Sequence, residues 1–175
     1  MAEIWDIYDK NRRLTGLTVE RGKPMKQDWY HLVVDVWIIN SKGEWLISKR
    51  TPNKHFPLMW ECTGGSAISG EDSITAALRE VKEELGIILD RNKGKLFTTG
   101  IRKLREFPDF KDIWVFEHDC NINDVVLQEG ETCDAMWASS NKIRALIAAG
   151  DFVPQTAMPY INQLFDKYKR QEEQI

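Results

Sequence analysis

At 175 residues, with 42% hydrophobic and 29% charged positions, the chain is long enough to bury a substantial core and has ordinary globular proportions. A net charge of −3 offers no cationic field, which excludes bulk nucleic-acid binding and leaves any polyphosphate to be held by local groups or a metal. Three cysteines without a CxxC pair, three histidines without zinc-like spacing, a charged amino terminus and no run of ~20 apolar residues exclude a disulfide framework, a structural zinc, a signal peptide and a membrane span, so a cytoplasmic location is expected.

Residues 4–20 set short apolar groups on either side of Asp9, Lys10 and Asn11, and DKNRRLTG reads as a turn, so a small hairpin opens the chain. Tyr30 to Ile39 is rich in β-branched and aromatic residues, and NSKGE turns it into Trp45 to Lys49, predicting a long strand paired with its successor. From Ser73, apolar Ile74, Ala77, Leu78, Val81 and Leu85 recur at helical spacing, and Gly86 stops the run. Beyond it, 96–104, 112–118 and 134–139 read as strands. Residues 141–149, ended by Gly150, and 156–170 read as helices, with QEEQI as a charged tail. The fold class expected is α/β, a mixed β-sheet with helices packed on it.

The helix from Ser73 carries the informative chemistry. At about 100° per residue, Glu80, Glu83 and Glu84 fall within one arc, while the apolar positions centre roughly 140° away. Three like charges at i, i+3 and i+4 repel, so the arrangement costs stability unless a cation binds. A glutamate cluster without His or Cys suits magnesium, which prefers oxygen ligands. An isolated acidic run would more often be a solvated face, and what surrounds this one decides against that.

Residues 65–87, GSAISGEDSITAALREVKEELGI, resemble the Nudix box, G-x5-E-x7-R-E-U-x-E-E-x-G-U with U aliphatic. Every required position is filled, by Gly65, Glu71, Arg79, Glu80, Val81, Glu83, Glu84, Gly86 and Ile87. At average residue usage, a chance match is on the order of one in a million or less. The resemblance implies an α/β/α sandwich forming one Nudix domain over 1–175, with 1–28 as a hairpin extension. It implies a magnesium site, or manganese in its place, and attack of a metal-activated water on a diphosphate in a small-molecule substrate, for instance a nucleoside-diphosphate-linked metabolite. Glu83 and Glu84 would be metal ligands, and Glu80 a ligand or the base. Arg79 would orient the carboxylates through a fork-shaped ion pair with Glu71. The carbonyl of Gly64, and a later acidic residue, Glu131 in preference to Glu129, would complete the metal site. Arg50 and Lys49 are candidates for phosphate, and Trp60, Phe56 or Trp114 for stacking, with a core role weighed as the more common fate of a tryptophan.

EIWDIYDKNRRLTG, YHLVVDVWIIN and KRTPNKHFPLMWE also resemble the branch related to isopentenyl-diphosphate isomerase. That isomerase needs a catalytic Cys followed closely by a metal-binding His. Here ECTGGSA offers Cys62 and no His, and only His31 matches its metal site, so a hydrolase is expected. A non-catalytic nucleotide-binding module would show a degenerate box, and this one is intact. Substrate identity depends on loops and partner subunits, and a homodimer is compatible with the resemblance.

Overall fold

A computed structural model describes residues 2–103 and 106–169. The expected amino-terminal hairpin is formed by β1 (Ile4–Tyr8) and β2 (Leu14–Glu20), paired antiparallel. Its turn is fixed by Asp9, whose Oδ1 accepts from the amides of Asn11 at 2.8 Å and Arg13 at 2.9 Å.

The main sheet runs β5 (Trp60–Glu61), β4 (Trp45–Arg50), β3 (His31–Ile39), β8 (Asp109–Glu117), β7 (Gly94–Arg102), with β6 (Thr63–Ser66) added on β3 and β9 (Thr132–Ala138) on β4. The pairing of β3 with β8 is parallel and the others are antiparallel, so the sheet is mixed. The expected hairpin of β3 with its successor is confined to two pairs, Ile38 with Leu46 and Ile39 with Trp45. Most of β3 is flanked by β6 and β8 instead, which makes it a central strand, and helices on both faces of the sheet explain its continuous apolar run.

The two faces of β3 have different covers. Val34, Val36 and Ile38 pack with Ala77, Val81 and Leu85 of helix α1 (Ser73–Leu85). Trp37 and Ile39 pack with Ile143 of α2 (Ser140–Ala149) and with Leu164 and Phe165 of α3 (Ile161–Tyr168). This is a three-layer α/β/α sandwich.

Helix α1 is capped at its start by Asp72, whose Oδ1 accepts from the Thr75 amide at 2.8 Å, and at its end by Gly86 at φ 69°. The last helix begins five residues later than expected, because Pro159 disfavours helical backbone at Met158 and residues Gln155–Ala157 make only a 3-10 turn. Its expected end at Arg170 and the QEEQI tail lie outside the described residues, as does Leu104 at the expected end of β7. No helix among the described residues is long and apolar enough to cross a membrane.

Candidate active site

Strand β6 delivers Gly64 and Gly65 to the edge of β3 and leads through the 67–72 loop into α1. The glycines have distinct reasons. A Cβ on Gly64 would meet the Val34 carbonyl oxygen at 2.3 Å, so the strands approach too closely for a side chain. On Gly65 it would lie 2.3 Å from Glu80 Oε1, in the space the carboxylate occupies.

Arg79 organises the box. Its Nε and Nη2 donate to Glu71 at 2.8 and 3.0 Å, Nη2 also donates to the Ser66 carbonyl at 3.0 Å, and Nη1 donates to Glu80 at 2.9 Å and Glu83 at 3.0 Å. Burial opposes its charge, but the bonds to Glu71 and Glu80 win and raise its pKa. Glu71 also accepts from the Ile68 amide at 3.0 Å, which closes the loop on itself.

The three helix glutamates do not share one solvent face. Glu83 is exposed and Glu80 half-buried, whereas Glu84 is 5% exposed. The reason lies outside the helix: the segment after Leu127 folds over it, with the Gln128 amide donating to the Glu84 carbonyl at 3.1 Å and the Thr132 hydroxyl at 3.3 Å. Helical periodicity cannot register a cover that comes from a distant loop. Glu84 Oε2 is buried without a hydrogen-bond partner. Burial, then the charges of Glu80 and Glu61, push its pKa up to about 8. Burial also raises Glu80 and Glu61, against the pull of Arg79 and Arg50 respectively.

Arg79, Glu80, Glu83 and Glu84 line a cleft of about 300 Å³ together with Gly64, Gly65 and Glu131. A second hollow of about 240 Å³ shares Val33, Gly64, Gly65 and Arg102 with it, so the two are continuous. Its walls include Phe56, Val153 and Met158, and its polar groups include Arg50, Glu61 and Lys111.

Among the described residues, no three His, Cys, Asp or Glu groups converge as a ready-made metal cage. The donors are engaged by internal cations: Arg79 holds Glu80 and Glu83, and Lys54 pairs with Glu131. The donor set is nonetheless all oxygen, and the orphaned Glu84 Oε2 is a buried oxygen donor that a hard cation would satisfy.

The other expected residues divide. Arg50 faces the second hollow with both N–H arms engaged, Nη1 to Glu61 at 2.6 Å and Nε to the His55 carbonyl at 2.6 Å. Lys49 lies over the Trp60 ring at 5.6 Å, and Trp60, 9% exposed, belongs to the core. Trp114 packs against the α1 side and donates to Ser73 Oγ at 2.8 Å. Glu129 is exposed and Glu131 lines the cleft. Cys62 is buried, and burial raises its thiol pKa well above the ordinary value. His31 is 3% exposed and stacks on Trp5 with ring centroids 4.2 Å apart. Sequence reasoning missed that Glu3, Trp5 and Arg21 of the hairpin, and Arg102, wall the acidic cleft. No local pattern signals them, because tertiary docking brings them there, of the hairpin for the first three and of β7 against β8 for Arg102.

A three-layer sandwich whose cleft is lined by a loop–helix array of carboxylates around one arginine has the build of a hydrolase acting on phosphorus-containing acid anhydrides. The family model described as NUDIX domain matches residues 29–157, and the chain belongs to that family, whose members generally use divalent metals. An uncharacterized Nudix hydrolase of Listeria monocytogenes is 39% identical over 167 residues, 94% of either chain. Among solved structures, a Deinococcus radiodurans protein superposes with TM-score 0.73 at 22% identity, over 96% of this chain and all of its own. The Nudix domain of Shewanella oneidensis NrtR, complexed with ADP ribose, gives TM-score 0.61 at 15% identity, over 78% of this chain and 86% of its own.

Proposed function

We propose that the protein is a magnesium-dependent hydrolase that cleaves the diphosphate linkage of a nucleoside-diphosphate-linked or related small metabolite. The observation that carries this reading is the buried, unpartnered Glu84 Oε2 within a cleft lined by the other box carboxylates. The likeness of the fold to a Nudix domain complexed with ADP ribose supports a ligand of this chemical type.

A bound magnesium, or manganese, supplies positive charge against the diphosphate and lowers the pKa of a water. Glu83 and Glu84 hold the ion, with the Gly64 carbonyl and Glu131 as further oxygen donors. Glu80 is either a ligand or the base that takes the proton from the attacking water. Arg79, gripped by Glu71, keeps the carboxylates oriented. Lys54, on releasing Glu131, and Arg50 in the second hollow are cations available to receive phosphate oxygens, with Arg102 lining both hollows. The whole chain 1–175 acts as one unit in the cytoplasm with the hairpin 1–28 as an extension, and a homodimer is compatible with it.

The likeness to the isopentenyl-diphosphate isomerase branch reflects a shared scaffold on this reading, since the only nearby thiol is buried and held protonated. Phosphate or nucleotide release from nucleotide sugars, ADP ribose, dinucleoside polyphosphates, coenzyme A and nucleoside triphosphates tests the assignment. Turnover of at least one of these, abolished by excess chelator and restored by magnesium, is expected. Turnover that persists undiminished in chelator overturns it.

A further inference from the structure

The amino-terminal hairpin lies before the residues matched by the family model, yet it is bonded directly to the loop that precedes the catalytic helix. Three hydrogen bonds join them. The Ser69 amide donates to the Ile4 carbonyl at 2.7 Å, the Ser69 hydroxyl to Asp6 Oδ1 at 2.6 Å, and the Gly70 amide to Asp6 Oδ2 at 2.8 Å. One half-buried carboxylate therefore holds two successive residues of the loop, using both oxygens, and bonds of this charge-assisted kind are stronger than neutral ones. The position it holds is demanding: Gly70 has φ +88°, a left-handed bend that only glycine adopts readily.

The next residue is Glu71. It accepts from Arg79, and Arg79 in turn grips Glu80 and Glu83. The path from Asp6 to the acidic cleft thus runs through two loop residues, the peptide bond to Glu71 and one ion-pair network, every non-covalent link being a hydrogen bond of 3.0 Å or less. We propose that Asp6 is a positioning residue of the active site, which fixes the Ser69–Gly70 bend and through Glu71 and Arg79 sets the placement of Glu80 and Glu83. This rests on the assignment of those carboxylates to a divalent cation.

The hairpin has a second anchor that separates a positioning role from a merely structural one. Arg12, in its turn, makes a two-pronged ion pair with buried Asp112 of β8, at 2.7 and 2.5 Å. Tyr8 and Tyr30 also exchange backbone hydrogen bonds at 2.8 and 3.0 Å. Neither contact touches the 67–72 loop. Loosening the Arg12 anchor weakens the hairpin without passing through Ser69, Gly70 or Glu71, whereas loosening Asp6 acts on that loop itself.

The test measures binding of manganese alone to the full chain, by electron paramagnetic resonance of the free ion, alongside thermal melting in chelator. Asp6→Ala is expected to raise the half-saturating manganese concentration about fivefold or more, and Ser69→Ala, which removes one hydroxyl and spares the hairpin, about twofold. Asp6→Asn, which keeps one carbonyl acceptor, should recover much of the loss. Arg12→Lys should lower the melting temperature in chelator and leave manganese affinity as in the parent. Parental manganese affinity in both Asp6→Ala and Ser69→Ala overturns the proposal, as does equal weakening in Arg12→Lys. Manganese binding by the parent that Glu84→Gln leaves unchanged would instead overturn the cation assignment itself, so the two failures are distinguishable.

Discussion

Two buried carboxylates on opposite faces of the sheet have opposite fates. Asp35 on β3, 8% exposed on the aromatic face, receives the Lys111 ammonium and the Tyr160 hydroxyl at 2.5 Å each, and Tyr160 is itself held by the Trp37 indole at 3.1 Å. Glu84 on the α1 face is buried as deeply, but its Oε2 meets no donor. A buried charge whose partners are built into the chain is part of the scaffold. One left without them keeps a place for a cation from outside, and the fold carries its cost until that cation binds.

The largest effect that would sharpen this contrast is that of Glu84→Gln. Hydrolysis should fall by about two orders of magnitude or more, the range for losing a metal-site or general-base group. The stabilisation by magnesium seen in thermal melting should fall with it. Melting in chelator should be no worse than in the parent, since a neutral amide replaces an unpaired buried acid. A clear loss of stability in chelator would show that the carboxylate already has a structural partner and break the contrast.

The reciprocal change is Lys111→Met. It strands Asp35, so stability should drop by about 3 kcal/mol, measured by urea denaturation, while the stabilisation by magnesium is retained. Asp35→Leu combined with Lys111→Met should regain a good part of the loss, because exchanging a whole buried pair for apolar groups costs less than halving it. Magnesium response lost in the single variant would place the cation on the wrong face.

Much of the acidic side was legible in the sequence. The helix from Ser73 and its Gly86 stop follow from short-range spacing, and the Arg79 fork onto Glu71 is what the resemblance of the box implies. What stayed hidden depends on tertiary contacts. Strand β6 reads TGGS, and two glycines conceal a strand whose need for them is the closeness of Val34 to one and of the Glu80 carboxylate to the other. Strand β8 begins at Asp109, three residues earlier than its apolar pattern, because Asp109 and Lys111 are polar residues buried by pairing with Arg102 and Asp35. The burial of Glu84 and the hairpin wall of the cleft come from segments far away in the chain.

His31 offers a smaller, pH-dependent variant of the same comparison, as a buried ionisable group that sheds its charge. Burial lowers its pKa below the ordinary value of about 6.5. The unfolded chain therefore takes up this proton at higher pH than the folded one. The stability concerned is intact above about pH 6.5 and is lost as pH falls through the lower folded value. Melting of the chelated parent should decline more steeply below pH 6.5 than that of His31→Gln. Identical profiles would mean that His31 titrates alike in the folded and unfolded chain, its burial being offset by the nearby Asp109.

The smallest expected effect concerns Cys62, which separates hydrolase from isomerase chemistry. An isomerase must protonate a carbon-carbon double bond and remove a proton from the other side, so a placed acid and base are indispensable. Cys62 is 6% exposed and its thiol is held protonated by burial, with no His after it in ECTGGSA to serve as a ligand. Hydrolysis needs water, a cation and the box carboxylates, none of which involve this thiol. Cys62→Ala should therefore leave diphosphate hydrolysis within about threefold of the parent, since removing a small buried side chain costs about 1 kcal/mol of stability and no chemistry. Isopentenyl diphosphate incubated with the parent and magnesium in deuterated water should show no isomer by proton NMR. Deuterium entering the prenyl skeleton, and lost again in the alanine variant, would make the thiol an acid catalyst and the hydrolase reading untenable, because a protonated buried thiol beside the carboxylates would then be the source of the proton.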